Sequence, residues 1–216
     1  MSDPRVRTQA SRRVARRKPQ ARSAATRESV LDAALECLAE RGYARTATAD
    51  VAERAGVSRG ALLHHFPTRA GLLAATVEHL AERRLAELRR ALEQRDPARD
   101  EIDAAVDFVW KAYSDPTAYA SLELLIAART DEDLLAPLRP VADRFDAMLE
   151  LADLPLAPGS MSRHRRIALR KLIIATMQGL AVLRIVDDDE RYVDTVLEEL
   201  KNLCREILGA GGNGEC

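Results

Sequence analysis

Residues 46–67 read Thr-Ala-Thr-Ala-Asp-Val-Ala-Glu-Arg-Ala-Gly-Val-Ser-Arg-Gly-Ala-Leu-Leu-His-His-Phe-Pro. No other stretch limits the possible folds as strongly. Thr46 suits the N-cap of a short helix, and Asp50 lies near its positive end, where an acid is favoured. Ala52 and Ala55 are small enough to let a second helix pack close. Gly56 supplies a left-handed residue that ends the helix in one step. Val57 plugs the shared core. Ser58 caps the next helix, Arg59 to His65, and Pro67 ends it after Phe66. Two short helices joined by a tight glycine turn make a helix-turn-helix, whose second helix can enter a major groove with its first residues at base edges.

The segment before it completes a three-helix unit. Thr26 is placed to cap a helix in which Val30, Leu31, Ala34, Leu35 and Leu38 share one face. Gly42 ends that helix. Cys37 reads as a small core residue rather than a nucleophile.

Residues 28–75 then resemble the DNA-binding domain of the TetR/AcrR family of bacterial transcriptional regulators. The matching residues are Ala33-Ala34, Gly42-Tyr43, Thr46, Val51-Ala52, Ala55-Gly56-Val57-Ser58, Gly60-Ala61-Leu62, His65-Phe66, Arg69 and Leu72-Leu73. The resemblance implies that Arg59 and Gly60 read bases. It places Arg45, Thr46, Thr48, Ser58, His64, His65 and Arg69 at or near the DNA. Arg59 leaves the first turn of the groove helix, where a guanidinium can take guanine O6 and N7 together. For His64 and His65 a plain helix surface and a partly buried neighbour of Phe66 remain open. Three positions depart from the family pattern. Leu63 replaces a tyrosine that touches phosphate, Arg69 replaces lysine, and Gly71 replaces a frequent glutamate.

Charge is unevenly distributed. The formal net charge is −1, from 33 Lys and Arg against 34 Asp and Glu. Residues 1–27 hold nine cations and one acid, Asp3, a net of +8, so the remainder carries −9. Residues 28–82 hold five Arg and eight acids, a net of −3. Such asymmetry suggests a basic arm on an acidic body. Residues 1–26 are rich in Arg, Ala, Ser and Gln with few large apolar groups, a composition that predicts disorder. Arg12, Arg13, Arg16, Arg17 and Lys18 would then seek phosphates or a narrow minor groove. A solvated tail and an Arg-rich transit peptide are the other readings. No signal-peptide apolar stretch is present.

The remaining chain also reads as helix. Hydrophobic residues make up 47% and aromatics only 4%, with abundant Ala, Leu, Arg and Glu, which favours an all-α fold of about nine helices. Residues 73–208 form a larger helical bundle for ligand binding and dimerisation, and residues 209–216 a flexible tail. The predicted helices are 72–94, 100–114, 116–129, 131–153 (interrupted by Pro137 and Pro140), 164–186 and 192–208, with a loop at 155–160. The helix at 164–186 is apolar almost all round from Leu172 and must be covered on more than one side. Acids 187–190 read as a solvated start to the last helix. With that last helix, 164–186 is either a monomer core or, as the resemblance implies, half of a four-helix homodimer interface. Ile174, Met177, Ala181, Ile185, Val196, Leu200 and Leu203 are the expected contacts. Trp110, Tyr113, Tyr119, Glu123, Phe145, Met148 and Met177 are candidates to line an effector pocket, and few aromatics point to an apolar one.

Several function classes fall away. The chain lacks HExxH, GxxxxGK, GxSxG and a CxxC pair, so catalysis is not expected. No apolar run reaches the ~18 residues of a membrane span. Three scattered cysteines suit a reducing cytoplasm and make neither a disulfide framework nor a metal site. No cofactor is expected. The use of 29 Arg against four Lys suggests a GC-rich bacterial genome. The resemblance implies a repressor that binds a double-stranded, pseudo-palindromic operator as a dimer and is released by a small effector. The rival reading is a helical interaction module whose helix-turn-helix does not bind DNA specifically.

Overall fold

The computed structural model describes residues 4–94, 96, 98, 100–151, 161–187 and 189–210. The described residues form nine α-helices: α1 Pro4–Arg45, α2 Thr48–Arg54, α3 Arg59–His65, α4 Arg69–Glu93, α5 Glu101–Tyr113, α6 Pro116–Ala128, α7 Glu132–Leu151, α8 Arg163–Leu183 and α9 Glu190–Ala210. The fold is all-α. The chain divides into two compact units, Met1–Thr76 and Val77–Cys216, so the boundary lies within α4, four residues beyond the position read from sequence.

The core of the first unit is built from α1, α2, α3 and the start of α4. Val30, Leu31, Ala34, Cys37, Val51, Ala52, Leu62, Phe66 and Leu72 are all buried, with Val57 packed against them. Gly42 has φ 74° and ψ 171°, a region open essentially to glycine alone, and it breaks the regular turns of α1 there. Gly56 has φ 66° and makes the turn between α2 and α3. Burial pushes the Cys37 thiol up, against the pull of Arg54 and Arg41, which keeps it in its inert neutral form.

Two sequence expectations change here. The helix of residues 4–26 replaces the disordered arm read from composition. Ala, Arg and Gln are strong helix formers, and a helix already fixed by packing at Val30–Leu38 extends backward without a new nucleus. Thr26 is consequently inside α1, its hydroxyl donating to the Arg22 carbonyl at 2.9 Å, and caps nothing.

The second unit holds α5, α8 and α9 around a cluster of Ala105, Val106, Leu169, Ile173, Met177, Leu180, Val193, Leu197, Leu200 and Cys204. A smaller cluster centres on Leu85 and Leu88 of α4, with Phe108, Met148 and Leu149 against it. Lys201 is buried between Asp107 at 2.9 Å and Glu198 at 2.6 Å. A second pair, Arg205 with Asp103, also ties α9 to α5. Pro137 and Pro140 do not interrupt α7. Leu134, Leu138 and Val141 form a buried i, i+4, i+7 stripe, whose packing offsets the two lost backbone bonds. Asp189 receives the Arg191 amide at 3.0 Å and so opens α9, as expected for an acidic helix start. The loop at 155–160 lies outside the described residues, and of the tail expected at 209–216 residues 209–210 belong to α9 while 211–216 lie outside them too.

Candidate nucleic-acid interface

The surface of α3 follows from its cap and its buried side. Ser58 has extended backbone, and its hydroxyl accepts the Ala61 amide at 3.2 Å. Leu62 and Phe66 point into the core, while Ser58, Arg59, Gly60, Leu63 and His64 are exposed and His65 is half-buried. The outward face therefore begins with a cap, a long cation and a glycine, and ends with an imidazole. Leu63, 39% exposed, brings an apolar side chain to that face. The ring centres of His64 and His65 lie 5.5 Å apart.

Ion pairs between α1 and α2 set the angle of the motif. Arg54 binds Glu36 at 3.3 Å and Glu40 more closely. The Arg54 hydrogen bond holds the Glu40 carboxyl below the usual range. Arg41 pairs with Asp50 at 3.0 Å. Asp50 also accepts the Ala47 amide at 3.3 Å, and Ala47, not Thr46, is the N-cap residue of α2.

Two residues expected at or near the DNA are held by hydrogen bonds within the first unit. Thr46 is 3% exposed. Its hydroxyl donates to the Gly42 carbonyl at 2.8 Å and lies 3.2 Å from the Cys37 carbonyl. Its single hydroxyl proton is thus spent on the end of α1. Arg69 donates from Nε to the Thr46 carbonyl at 3.1 Å and from Nη2 to the Tyr43 carbonyl. Its guanidinium also lies 4.4 Å from the Tyr43 ring centre. One side chain on α4 thus clamps the α1–α2 connection. Arg45 is exposed, with its Nε on the Arg41 carbonyl at 3.0 Å, and Thr48 is half-buried at the start of α2. Sequence reading missed Arg27, whose guanidinium lies 5.4 Å from the Phe66 ring centre. The side chains of Arg12, Arg13, Arg16, Arg17 and Lys18 lie outside the described residues. At the start of α4 the Thr68 hydroxyl accepts the Gly71 amide at 3.0 Å, which supplies the helix start that a glutamate at 71 would otherwise favour.

Residues 30–76 match the family described as "Bacterial regulatory proteins, tetR family". Over 192 residues the chain is 33% identical to the HTH-type transcriptional regulator CymR of Pseudomonas putida, covering 88% of this chain and 95% of that protein. The chain belongs to the TetR family. Its fold is also that of solved TetR-like regulators. A transcriptional regulator from Rhodococcus sp. Rha1 superposes with a TM-score of 0.59 at 23% identity, over 83% of this chain and 96% of that one. The multidrug binding protein EbrR, complexed with imidazole, gives 0.55 at 23% identity, over 81% and 93%. This TetR-family chain is a transcriptional regulator of the helix-turn-helix type, not an enzyme. Among the described residues no group of His, Cys, Asp and Glu is arranged to hold a metal ion, and no helix is long and apolar enough to cross a membrane.

The structure separates the candidate effector residues of this TetR-family chain. Trp110 and Tyr113 pack against the cluster that contains Met177, and burial pushes the Tyr113 hydroxyl up to about 12. Met148 sits in the smaller cluster. Tyr119 donates to the Ala181 carbonyl at 3.0 Å. Phe145 is half-buried on α7, and Glu123 is exposed on α6. Neither of these two clusters holds all seven residues.

The expected dimer contacts differ in their exposure. Met177, Ala181 and Leu200 are buried within the protomer, Ile174 and Val196 are half-buried, and Ile185 and Leu203 are exposed. A helix that is apolar all round gives no sequence signal for which face its own protomer covers.

Proposed function

We propose that this TetR-family regulator is a repressor that binds a pseudo-palindromic operator as a homodimer and leaves it when a small, largely apolar effector binds the second unit. The observation that carries this reading is the outward face of α3. Ser58 fixes its first turn, Arg59 and Gly60 stand exposed at that turn, and the opposite side is packed into a buried apolar core. Arg59 reads a guanine edge, and Ser58, Thr48, His64 and Arg45 contact phosphates. His65, half-buried beside Phe66, steadies the end of α3. A twofold dimer presents two such helices to half-sites roughly 34–36 Å apart. The basic segment, including Arg12, Arg13, Arg16, Arg17 and Lys18, supplies the attraction that the folded head, at −3, lacks. The two C-terminal helices make the dimer, and the protein works in the cytoplasm.

Effector release acts through α4, a single helix from Arg69 to Glu93. Its first residues hold the Tyr43–Thr46 connection through Arg69. Further along, Glu78 pairs with Arg144 of α7, and Arg84 pairs with Asp115 at the start of α6 at 3.0 Å. An effector that moves α6 or α7 therefore pulls on α4. Driving the population from 1:99 to 99:1 takes ~5.5 kcal/mol of preference for the released state. EbrR is a multidrug binding protein, and an apolar site near Trp110, Tyr113 and Met177 is the proposed counterpart here.

A gel-shift titration on DNA upstream of the protein's own gene tests the reading. Saturable binding that is lost in Arg59→Ala supports it. Leu63 on the outward face favours the second reading, an interaction module without specific DNA binding. Only salt-sensitive, sequence-independent retardation, equal in Arg59→Ala, would establish that alternative.

A further inference from the structure

The buried face of α1 continues past the core that covers it. Val30, Leu31, Ala34 and Leu38 are buried on one side of this helix, and the first three share a core with Val51 and Ala52 of α2, Leu62 of α3 and Phe66. Among the described residues the backbone of α1 leaves helical values only at Gly42, so Arg27 and the residues before it belong to the same regular helix. At about 100° per residue, position 27 falls within roughly 60° of positions 30, 31, 34 and 38. Arg27 is exposed, and its guanidinium lies 5.4 Å from the Phe66 ring centre. It therefore stands on the α3 side of α1, where the apolar stripe stops.

Counted backward from Arg27, that side becomes a row of cations. Positions 5, 12, 13 and 16 fall within about 60° of position 27, whereas positions 7, 18 and 22 fall at least about 140° away. Residues 4–27 contain no acid to neutralise the row. Pro19 forfeits one backbone bond and admits a bend in the helix there, with the helical register running on either side. One face of α1 is thus apolar where α2 and α3 cover it and cationic where they end.

The side on which the row lies matters because α3 packs against it. Leu62 and Phe66 turn into the core shared with α1, while Arg59 and His64 are exposed on the outward face of α3. The direction from α1 through α3 therefore leads to the operator. We propose that residues 4–27 bind operator DNA as a helix, with the row of Arg5, Arg12, Arg13, Arg16 and Arg27 on the phosphates. This rests on the operator binding proposed above and assigns the basic segment its form and its contacts. At 1.5 Å per residue, position 5 lies about 33 Å from position 27, so the row is about as long as one turn of duplex, roughly 34–36 Å. A flexible tail reaches phosphates with any of its cations, and its contribution follows charge alone. The contribution of a helix follows register.

Salt dependence of binding by the full chain separates the two, read by fluorescence anisotropy on duplex from upstream of the protein's own gene. Arg5→Gln, Arg12→Gln and Arg16→Gln together remove three charges from the row. Arg7→Gln, Lys18→Gln and Arg22→Gln remove three from the other side. The first set is expected to flatten the log–log slope by up to ~2.7, at ~0.9 per contact, and the second by less than ~0.9. Two alanines inserted between Ala24 and Ala25 turn the row by about 200° and should flatten the slope as the first set does. Seven alanines, close to two full turns, return it to within about 20° and should keep the wild-type slope. Every change lies before Val30, the first buried residue of α1 among the described side chains, so urea melts of the first unit should match wild type. Equal slopes for the two sets, or for the two insertions, overturn the helical row and leave operator binding by α3 standing. Wild-type protein that binds this duplex without saturation, and no better than Arg59→Ala, overturns the operator reading and the row together.

Discussion

Arg69 carries one role expected from the sequence and a second set of contacts seen in the structure, and the two can be separated. The family pattern points to a phosphate contact at this position. In the structure its guanidinium instead bridges the Thr46 and Tyr43 carbonyls and lies over the Tyr43 ring. Arg69→Lys keeps the positive charge but loses the fork. An ammonium reaches one of the two carbonyls and gives up the ring geometry. A hydrogen bond from a charged donor contributes about 1.5–3 kcal/mol, and a cation over a ring about 0.5–1 kcal/mol at a partly exposed site. Lysine recovers part of the second, so the expected loss is about 2 kcal/mol. For a unit the size of Met1–Thr76 that lowers its melting temperature by about 8–16 °C. Far-UV circular dichroism follows the whole chain, while Trp110, the single tryptophan, reports the second unit only. Destabilisation of the first unit should therefore show in the dichroism earlier than in the fluorescence. DNA binding gives the control. The log–log salt slope should be unchanged in Arg69→Lys, because no phosphate contact is lost. If Arg69→Lys melts within about 1 °C of wild type while Arg69→Met flattens the salt slope by ~0.9, the clamp has no energetic weight and the phosphate role stands.

Other expectations follow from single observations. Gly60 is exposed, and the nearest atom to an added Cβ is the Ser58 hydroxyl at 3.9 Å. Gly60→Ala should therefore stabilise α3 by up to ~1 kcal/mol while weakening operator binding in a fluorescence-anisotropy titration. Unchanged affinity would remove Gly60 from the interface. Gly56→Ala places a side chain at φ 66° and should cost about 1–2 kcal/mol in urea unfolding. Asp115 caps α6 by accepting the Thr117 amide at 2.9 Å. Burial pushes its carboxyl up, but the Thr117 hydroxyl and amide and Arg84 hold it below its ordinary value of 3.8. Its stabilisation is complete above that value and is lost as pH falls through the lower, folded-state value. Asp115→Ala should cost about 1–2 kcal/mol at neutral pH, and the gap to wild type should narrow in melts as pH falls below 3.8. Deleting residues 1–22 should weaken DNA binding and flatten its salt dependence by ~0.9 per lost phosphate contact. An identical slope would show that the basic segment does not touch DNA.

The first unit was readable because its signals are local. Gly42, Gly56 and Ser58 act on their own backbone, so residue type at a position decides the turn. Leu62 and Phe66 on one side of α3 and Arg59 on the other follow from helical period alone. Less legible were the residues whose partners come from elsewhere in the chain. Thr46 has the right chemistry for an N-cap, but a nine-residue step back to the Cys37 carbonyl buries it, and Ala47 takes the cap position. Arg69 likewise finds its acceptors 23 and 26 residues away.

The same reasoning explains α8. From Leu172 onward both sides of this helix are apolar, so periodicity predicted burial on two sides without ordering them. What orders them is α5. Ala105 and Val106 share a cluster with Ile173, Met177 and Leu180, while Lys201 and Arg205 bind Asp107 and Asp103 and hold α9 on the same flank. Once α5 and α9 occupy that side, Leu172, Val182, Leu183 and Val186 are left facing outward.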